Sequence, residues 1–220
     1  MTALNVTQAR FNMIEQQIRP WNVLDTAILD LLGSIRRDEF VTAAHRNLAY
    51  ADLELPLPQG QRMLAPRLEA RLLQDLNVRP TDKVLEIGTG SGFMAALLAR
   101  RAQHVLSLEI FPELATMARA NLQSAGIGNV EVRQADGAGG APADGPFDVI
   151  LLSGSVAEVP ASLLDQLKVG GRLGAVTGDE PVMRATLITR LSASEFQTVT
   201  PWDVNAPRLR NFAEHSEFVF

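Results

Sequence analysis

A glycine-rich run directly after an apolar segment is the part of this sequence that most strongly indicates chemistry. Residues 84–92 read Val-Leu-Glu-Ile-Gly-Thr-Gly-Ser-Gly, so Gly88, Gly90 and Gly92 alternate at the end of a predicted strand. Glycines permit a tight turn and let a ligand approach the backbone closely. In open α/β sheets, ligands bind at the carboxyl ends of the strands. The run therefore predicts a ligand site, although a structural turn that needs only one glycine is the simpler alternative.

The spacing of these glycines indicates which ligand to expect. The dinucleotide fingerprint is G-x-G-x-x-G, and here Phe93 stands where its third glycine would be, which makes a dehydrogenase a poor candidate. The run instead resembles motif I of class I methyltransferases, whose glycine loop receives the methionine part of S-adenosylmethionine. That resemblance implies cofactor contacts for six residues: Glu86, Gly88, Thr89, Gly90, Ser91 and Gly92.

Two acids further along the chain extend this predicted site. Glu109 ends the next predicted strand, close to the ~20 positions after the glycines at which a ribose-binding acid is expected. The alternative is a solvated glutamate at a strand end. Asp136 follows the third predicted strand, where methyltransferases often place an acid for the adenine amino group; next to Gly137, it is equally typical of a turn. Ile110 and Gly137 complete the predicted cofactor site.

Composition limits the other kinds of site and partner. The sequence has no cysteine, and His45, His104 and His215 show no metal-ligand spacing, so we expect no metal site. A net charge of −5 argues against a nucleic-acid partner. No apolar run approaches the ~18 residues needed to cross a bilayer. We therefore expect a cytoplasmic protein without a membrane or nucleic-acid partner.

The residue pattern in the first part of the chain predicts a layer of helices and loops. A helix over Thr7–Ile18 would place Phe11, Ile14 and Ile18 on one face, and Asp25 is positioned to cap a second helix. Residues 53–66 contain several prolines and predict an extended surface segment. We expect residues 1–66 to form a helical and loop layer that packs on a cofactor-binding domain of residues 67–220.

From residue 66 onward, strands and helices alternate. Strands are predicted at 83–87, 104–109, 130–133, 147–152 and 172–177, with helices at 68–76, 92–101, after Pro112 and at 160–167. Alternation of this kind implies an α/β fold with a Rossmann-like, doubly wound, mostly parallel sheet. Edge strands are predicted at 187–191, 198–199 and 217–220.

Several longer motifs resemble the protein-L-isoaspartate O-methyltransferases. They are Arg-Arg-Asp-Glu-Phe-Val at 36–41, Ala-Tyr-Ala-Asp at 49–52, Leu-Pro-Leu-Pro at 55–58, and the segment 159–173 with its Gly-Gly-Arg-Leu end. The resemblance implies methyl transfer from S-adenosylmethionine to the α-carboxylate of isoaspartyl residues in peptides or proteins, a repair reaction that leaves S-adenosylhomocysteine.

The loop before the sheet departs from that family. Its hydroxyl residues, a threonine and a serine, are replaced here by Arg62 and Leu64 within residues 59–66. Leu64 cannot donate to a carboxylate, whereas Arg62 either pairs with the substrate carboxylate or is a solvated loop arginine. We assign Arg62 and Leu64 to the substrate loop. Two alternatives stay open: a methyltransferase with another acceptor, and a non-catalytic module that binds the cofactor.

Overall fold

A computed structural model of the chain describes residues 3–214, with side chains from residue 5 onward. The helices are α1 (Ala3–Met13), α2 (Thr26–Ser34), α3 (Pro66–Leu76), α4 (Phe93–Ala99), α5 (Pro112–Ser124) and α6 (Ala161–Leu164). The strands are β1 (Leu55–Pro56), β2 (Arg62–Met63), β3 (Lys83–Ile87), β4 (His104–Glu109), β5 (Val130–Gln134), β6 (Phe147–Val156), β7 (Leu167–Asp179), β8 (Val182–Arg190) and β9 (Phe196–Asp203).

Seven strands form the central sheet, in the order β5-β4-β3-β6-β7-β8-β9. Strands β3 to β7 run parallel, and β8 and β9 are antiparallel additions at one side. The chain moves outward from β3 to β5 and then returns to place β6 on the other side of β3. This reversal opens a crevice at the carboxyl ends of β3, β4 and β6, where ligands of such sheets bind. The predicted doubly wound α/β fold is confirmed.

Local signals in the sequence gave several element boundaries correctly. Strands β3 and β4 occupy the predicted residues, and Val84–Ile87 are buried because both faces of the central strand are covered. The Asp25 side chain accepts a hydrogen bond from the amide of Ala27 at 2.8 Å and caps α2 as predicted. Pro112 stands in the first turn of α5.

The predicted helix over residues 7–18 is wrong in its second half. Helix α1 ends at Met13, and a π-helical segment follows over Ile14–Ile18. A wider turn rotates the residues after it relative to those before it. Ile14 and Ile18 are consequently buried, whereas the side chain of Phe11 is 58% exposed. The three residues do not share one buried face.

The segment 53–66 was predicted to lie on the surface, and this is also wrong. It forms a short antiparallel pair, β1 with β2, with Leu55 opposite Met63. Leu55, Leu57, Met63 and Leu64 are all buried. Alternating apolar residues pack inward here, because extended backbone sends successive side chains to opposite faces.

The predicted helix at 160–167 is confined to Ala161–Leu164, and β7 already begins at Leu167. The Gln166 side chain, just after the helix, donates to the carbonyls of Gly139 and Ser162 and accepts from the amide of Ala141. Of the predicted edge strands, residues 187–191 fall largely in β8, which lies between β7 and β9, and 198–199 fall in the outer strand β9. Residues 217–220 lie outside the described part of the chain.

Two groups of buried side chains cover the two faces of the sheet. One joins the N-terminal elements and α3–α5 to residues such as Val84 and Val105. The other contains Leu85, Leu106 and Phe147. The N-terminal elements therefore pack on one face of the sheet, while the division at residue 66 stays a prediction. Among residues 3–214, no helix combines the length and apolar character that crossing a bilayer requires.

Candidate functional site

A cleft of about 600 Å³ lies at the carboxyl ends of the parallel strands, where the topology places a ligand site. Its walls come from the glycine loop after β3, the ends of β4 and β6, the turn after β5, and a C-terminal segment. The predicted site residues that line it are Arg62, Gly88, Gly90, Glu109, Ile110, Asp136 and Gly137.

The glycine loop has the open backbone that its composition predicts. Gly88, Gly90 and Gly92 have φ angles of 93°, 54° and 86°, in the left-handed region that glycine adopts without strain. At Gly92 a side chain would also meet the backbone of Ala118 in α5 at 3.3 Å. The loop can therefore pack closely against α5, and its three glycines place no side chain of their own in the cleft.

Glu109 connects the glycine loop to the end of β4. Its Oε2 accepts a hydrogen bond from the amide of Gly90 at 2.8 Å, and its Oε1 accepts one from the amide of Phe111 at 3.0 Å. Burial raises the pKa of this carboxyl, and the backbone amides act in the opposite direction. Each oxygen retains a further lone pair. Glu109 is thus held in position at the cleft and can still accept from a ligand hydroxyl.

Asp136 and Gly137 form the next part of the wall. Asp136 accepts hydrogen bonds from the amide of Ala138 at 3.0 Å and from Nδ2 of Asn211 at 2.7 Å. It is therefore a turn-forming aspartate and a cleft residue at the same time. At Gly137 a Cβ would come within 2.4 Å of Cγ2 of Ile87, so only glycine lets the turn pack against β3.

Glu86 occupies a different place from the one predicted for it. It is fully buried and does not line the cleft, and its carboxyl accepts hydrogen bonds from the hydroxyls of Ser107 at 2.5 Å and Ser153 at 2.8 Å. Ser107 also shares a hydrogen bond with Thr89. Burial raises the pKa of Glu86 to about 8. Glu86 is therefore connected to the glycine loop through Ser107 and Thr89, and to the cleft lining through Ser153.

A smaller recess of about 260 Å³ continues the cleft on the other side of the glycine loop. The two spaces share Arg62, Gly88, Gly90 and Ser153. The recess holds the remaining predicted loop residues, Leu64, Thr89 and Ser91, together with Glu69, Phe93 and Met94. Of the predicted site residues, only Glu86 and Gly92 line neither space.

The substrate-loop residues differ in their exposure. Leu64 is buried, and its carbonyl accepts a hydrogen bond from Nη2 of Arg37 at 2.5 Å. The side chain of Arg62 is 58% exposed at the mouth of the cleft, and its ion pair with Glu54 is long, at 3.7 Å. Arg62 is therefore available to an anion that enters the cleft.

A C-terminal segment over residues 207–212 covers the cleft, and the sequence analysis missed it. Leu209 packs on Gly88 and Gly154, and Asn211 holds Asp136. Arg208 is anchored by Asp179 at 2.6 Å. The segment has no periodicity or motif, so only the tertiary structure reveals it. The sequence analysis also missed Ser153, which lines the cleft. Its position directly after the predicted fourth strand could have indicated it.

The two histidines of the described residues lie away from the cleft lining. His45 shares a hydrogen bond with Thr42 in the N-terminal layer, and His104 begins β4 at the opposite end from the site. His215 lies outside the described residues. Within residues 3–214, His, Asp and Glu side chains form no group of three or more that is placed to hold a metal ion.

Sequence comparisons place this geometry in a known family. A sequence profile described as "Protein-L-isoaspartate(D-aspartate) O-methyltransferase" matches residues 8–199. A protein-L-isoaspartate O-methyltransferase of Koribacter versatilis is 40% identical over 188 residues, which are 86% of this chain and 84% of that protein. Protein-L-isoaspartate O-methyltransferase 2 of Marinobacter nauticus is 39% identical over 201 residues, covering 91% of this chain and 92% of the other.

Solved structures agree on the fold. A protein-L-isoaspartate O-methyltransferase superposes with a TM-score of 0.79 at 26% identity, over 91% of this chain; the chain spans 65% of that structure's length. A protein from Plasmodium falciparum, described as a putative member of the same family in complex with S-adenosyl-L-homocysteine, superposes with a TM-score of 0.78 at 18% identity, over 93% of this chain and 98% of its own.

Proposed function

The chain belongs to the protein-L-isoaspartate O-methyltransferase family, and on that premise we propose that it transfers a methyl group from S-adenosylmethionine to the free α-carboxylate of isoaspartyl residues in peptides and proteins. The observation that carries the proposal is the convergence of the glycine loop, Glu109, Asp136 and Arg62 on one cleft. S-adenosylhomocysteine is then the product that leaves the site.

The residues of the cleft suit this cofactor. The left-handed glycines leave an open floor beside the amide-held carboxylate of Glu109, which can accept from ribose hydroxyls. Asp136 lines the cleft one strand further along, and we assign it to the adenine amino group. The recess with Thr89 and Ser91 is left for the amino-acid end of the cofactor. S-adenosylmethionine supplies a methyl group activated by a positively charged sulfur.

The chain's own residues need to orient the two substrates and exclude water from the site. Acid–base catalysis is not required of them. A carboxylate is ionised near pH 7, so the acceptor needs no base. The catalytic contribution is to hold the acceptor oxygen in line with the methyl group and to exclude water. The covering segment 207–212 and the buried Leu64 both serve to keep water out of the site.

Two arginines at the mouth support an anionic acceptor. Arg62 and Arg210 line the opening from the substrate loop and from the C-terminal segment. Arg62 makes only the long contact with Glu54, and within the described residues Arg210 forms neither a hydrogen bond nor an ion pair. A guanidinium matches the geometry of a carboxylate. We therefore assign both arginines to binding of the acceptor carboxylate. They would replace the contacts that the hydroxyl residues of this loop make in the family.

One observation favours a second candidate, a methyltransferase with a different acceptor. Leu64 presents an apolar side chain to the recess where the family resemblance leads us to expect a serine. Sites built for a polar group discriminate strongly through that contact. If wild-type enzyme leaves isoaspartyl peptides unmodified and Leu64→Ser creates that activity, the natural acceptor is another compound.

The test of the proposed function is transfer of a labelled methyl group to an isoaspartyl peptide and to its normal aspartyl counterpart, at saturating S-adenosylmethionine. We expect label in the isoaspartyl peptide alone, in a form released by mild base as a methyl ester is. Binding of the cofactor without label in either peptide contradicts the isoaspartyl acceptor and leaves the cofactor assignment standing.

A further inference from the structure

Glu69 is a charged residue on the buried side of a helix. Helix α3 buries Leu68, Leu72 and Leu73 toward the core, and Glu69 among them is only 3% exposed. Burying a carboxylate is costly unless it is paired. Burial raises the pKa of Glu69 to about 7, and the neighbouring Arg37 opposes this shift. A side chain in this position calls for an explanation beyond packing.

Arg37 is the hydrogen-bond partner of one of the two carboxylate oxygens of Glu69. It donates from Nη1 to Oε2 of Glu69, from Nε to the carbonyl of Ala49 at 3.0 Å, and from Nη2 to the carbonyl of Leu64 at 2.5 Å. Its guanidinium also lies 4.8 Å from the centre of the Phe93 ring. Arg37 therefore has several partners and holds the substrate loop in place.

The other oxygen of Glu69 has no such partner. Within the described part of the chain, Oε1 accepts no hydrogen bond, and it is not among the polar atoms that are sealed from solvent without a partner. Glu69 lines the recess beside Thr89 and Ser91. The free oxygen thus faces the space next to the glycine loop. The buried carboxyl of Glu86, by contrast, accepts hydrogen bonds from two serine hydroxyls, one on each oxygen.

A cation that reaches this recess would meet an oriented carboxylate. On the proposed cofactor, adenosine lies beside Asp136 and Glu109, so the amino-acid end extends past Gly90 into the recess. That end carries an α-ammonium group. An ammonium donating to a carboxylate in a dry site makes one of the stronger hydrogen bonds in proteins. We propose that Glu69 binds the α-ammonium group of the cofactor's methionyl end, an inference that rests on the function proposed above.

A purely structural role, in which Glu69 only neutralises Arg37, makes a different prediction. It affects every ligand of the cleft equally, because it acts through the fold and the substrate loop. A direct contact affects only ligands that carry the amino-acid end. S-adenosylhomocysteine and 5′-methylthioadenosine share the adenosine and the thioether, and only the first has the ammonium.

The experiment measures the dissociation constants of S-adenosylhomocysteine and 5′-methylthioadenosine by calorimetry. It compares the wild type, Glu69→Gln and a control variant. Their ratio within one variant does not depend on the fraction of protein that is folded. Asp82→Asn is the matched control, because it breaks a buried carboxylate–arginine pair, with Arg172 at 2.6 Å, just before β3 at the opposite end of that strand.

We expect Glu69→Gln to lower the preference for S-adenosylhomocysteine over 5′-methylthioadenosine by about tenfold or more, whereas Asp82→Asn keeps the wild-type preference. An unchanged preference in Glu69→Gln, whether both affinities fall or neither does, overturns the inference and leaves the proposed function intact. Failure of the wild-type protein to bind S-adenosylhomocysteine overturns the proposed function and the inference with it.

Discussion

The amide of Gly90 donates a hydrogen bond to Oε2 of Glu109 across 2.8 Å, and this contact joins the glycine loop after β3 to the end of β4. The second oxygen of Glu109 is held by the amide of Phe111 at 3.0 Å. One carboxylate thereby holds the glycine loop and the segment just before α5 in a fixed position relative to each other. With the ribose contact proposed above, Glu109 would have two roles, and changes there should weaken cofactor binding more than loss of the ribose contact alone.

Glu109→Gln tests this double role. Gln presents one NH₂ group where the wild type has an oxygen, so one of the two backbone amides faces another donor. We expect the affinity for S-adenosylhomocysteine to fall by about 10- to 100-fold, since hydrogen bonds to charged groups contribute about 1.5–3 kcal/mol. Calorimetry gives the value, with Glu131→Gln on the exposed part of β5 as a control that binds normally. Wild-type affinity in Glu109→Gln would show that the carboxylate is not a cofactor ligand.

Glu86 should make stability depend on pH. Burial raises its pKa from 4.5 to about 8 in the folded protein. Because the folded state holds this proton more tightly, the contribution is fully present below about pH 4.5 and is lost as pH rises to about 8. Glu86→Gln resembles the protonated form and removes this loss. The variant should therefore gain stability over wild type as pH rises through that window, by on the order of 5 kcal/mol at most.

Urea unfolding of both proteins at about pH 5 and about pH 8 measures this effect. The pKa of Glu69 is raised as well and its charge adds to the shift of Glu86, so the difference between the two proteins reports Glu86 together with its interaction with Glu69. A stability difference between the two proteins that does not change with pH would mean that Glu86 titrates normally.

Gly137 and Gly139 provide a matched pair for the turn after β5. A Cβ at Gly137 would come within 2.4 Å of Ile87, whereas at Gly139 it would meet nothing within 4 Å. We expect Gly137→Ala to destabilise the fold by about 1–3 kcal/mol through overpacking, and Gly139→Ala to change it by less than about 0.5 kcal/mol. Urea midpoints report both. Equal effects of the two substitutions would remove close packing as the reason for glycine at 137.

Arg62 and Arg210 should act on the acceptor and not on the cofactor. Replacing either by Gln removes a charge at the mouth of the cleft while the glycine loop stays intact. We expect KM for isoaspartyl peptides to rise by about 3- to 10-fold in each variant, in line with the ~1 kcal/mol typical of exposed charge contacts. Affinity for S-adenosylhomocysteine should not change. Arg46→Gln is the control, since this exposed arginine lies away from the cleft lining.

Steady-state kinetics at two salt concentrations add a second check, because exposed charge contacts weaken with ionic strength. KM should rise with salt in wild type and depend less on salt in the double variant. An unchanged KM in both single variants would assign Arg62 to the solvent, the alternative that its sequence position left open.

The sequence was most informative where local chemistry decides the structure. The buried β3, the glycine loop and Glu109 all follow from short patterns in which glycine, apolar runs and a strand-end acid have direct physical meaning. Asp25 as a helix cap belongs to the same class. Most residues predicted for the cofactor site therefore line the cleft or its recess, with Glu86 and Gly92 as exceptions, and their contacts with a cofactor stay a prediction.

Sequence reasoning failed where distant contacts decide. Leu209 packs on Gly88 because the chain passes back over the cleft after β9. No local sequence pattern predicts this path. A glutamate within a predicted helix is expected on its polar face. Glu69 is instead buried, because Arg37, far away in sequence, forms an ion pair with it. The end of α6 is a similar case, since Gln166 just after it is hydrogen-bonded to Gly139 and Ala141 in the loop before β6 as well as to Ser162 in the helix.

The most direct measurement for the proposed function is a competition assay. The wild-type protein receives labelled S-adenosylmethionine and an equimolar mixture of an isoaspartyl peptide and its aspartyl counterpart, and the partition of label gives the ratio of their kcat/KM values. We predict label almost entirely in the isoaspartyl peptide. Equal labelling of the two peptides, or label in neither while S-adenosylmethionine binds, would contradict the function proposed for this cleft.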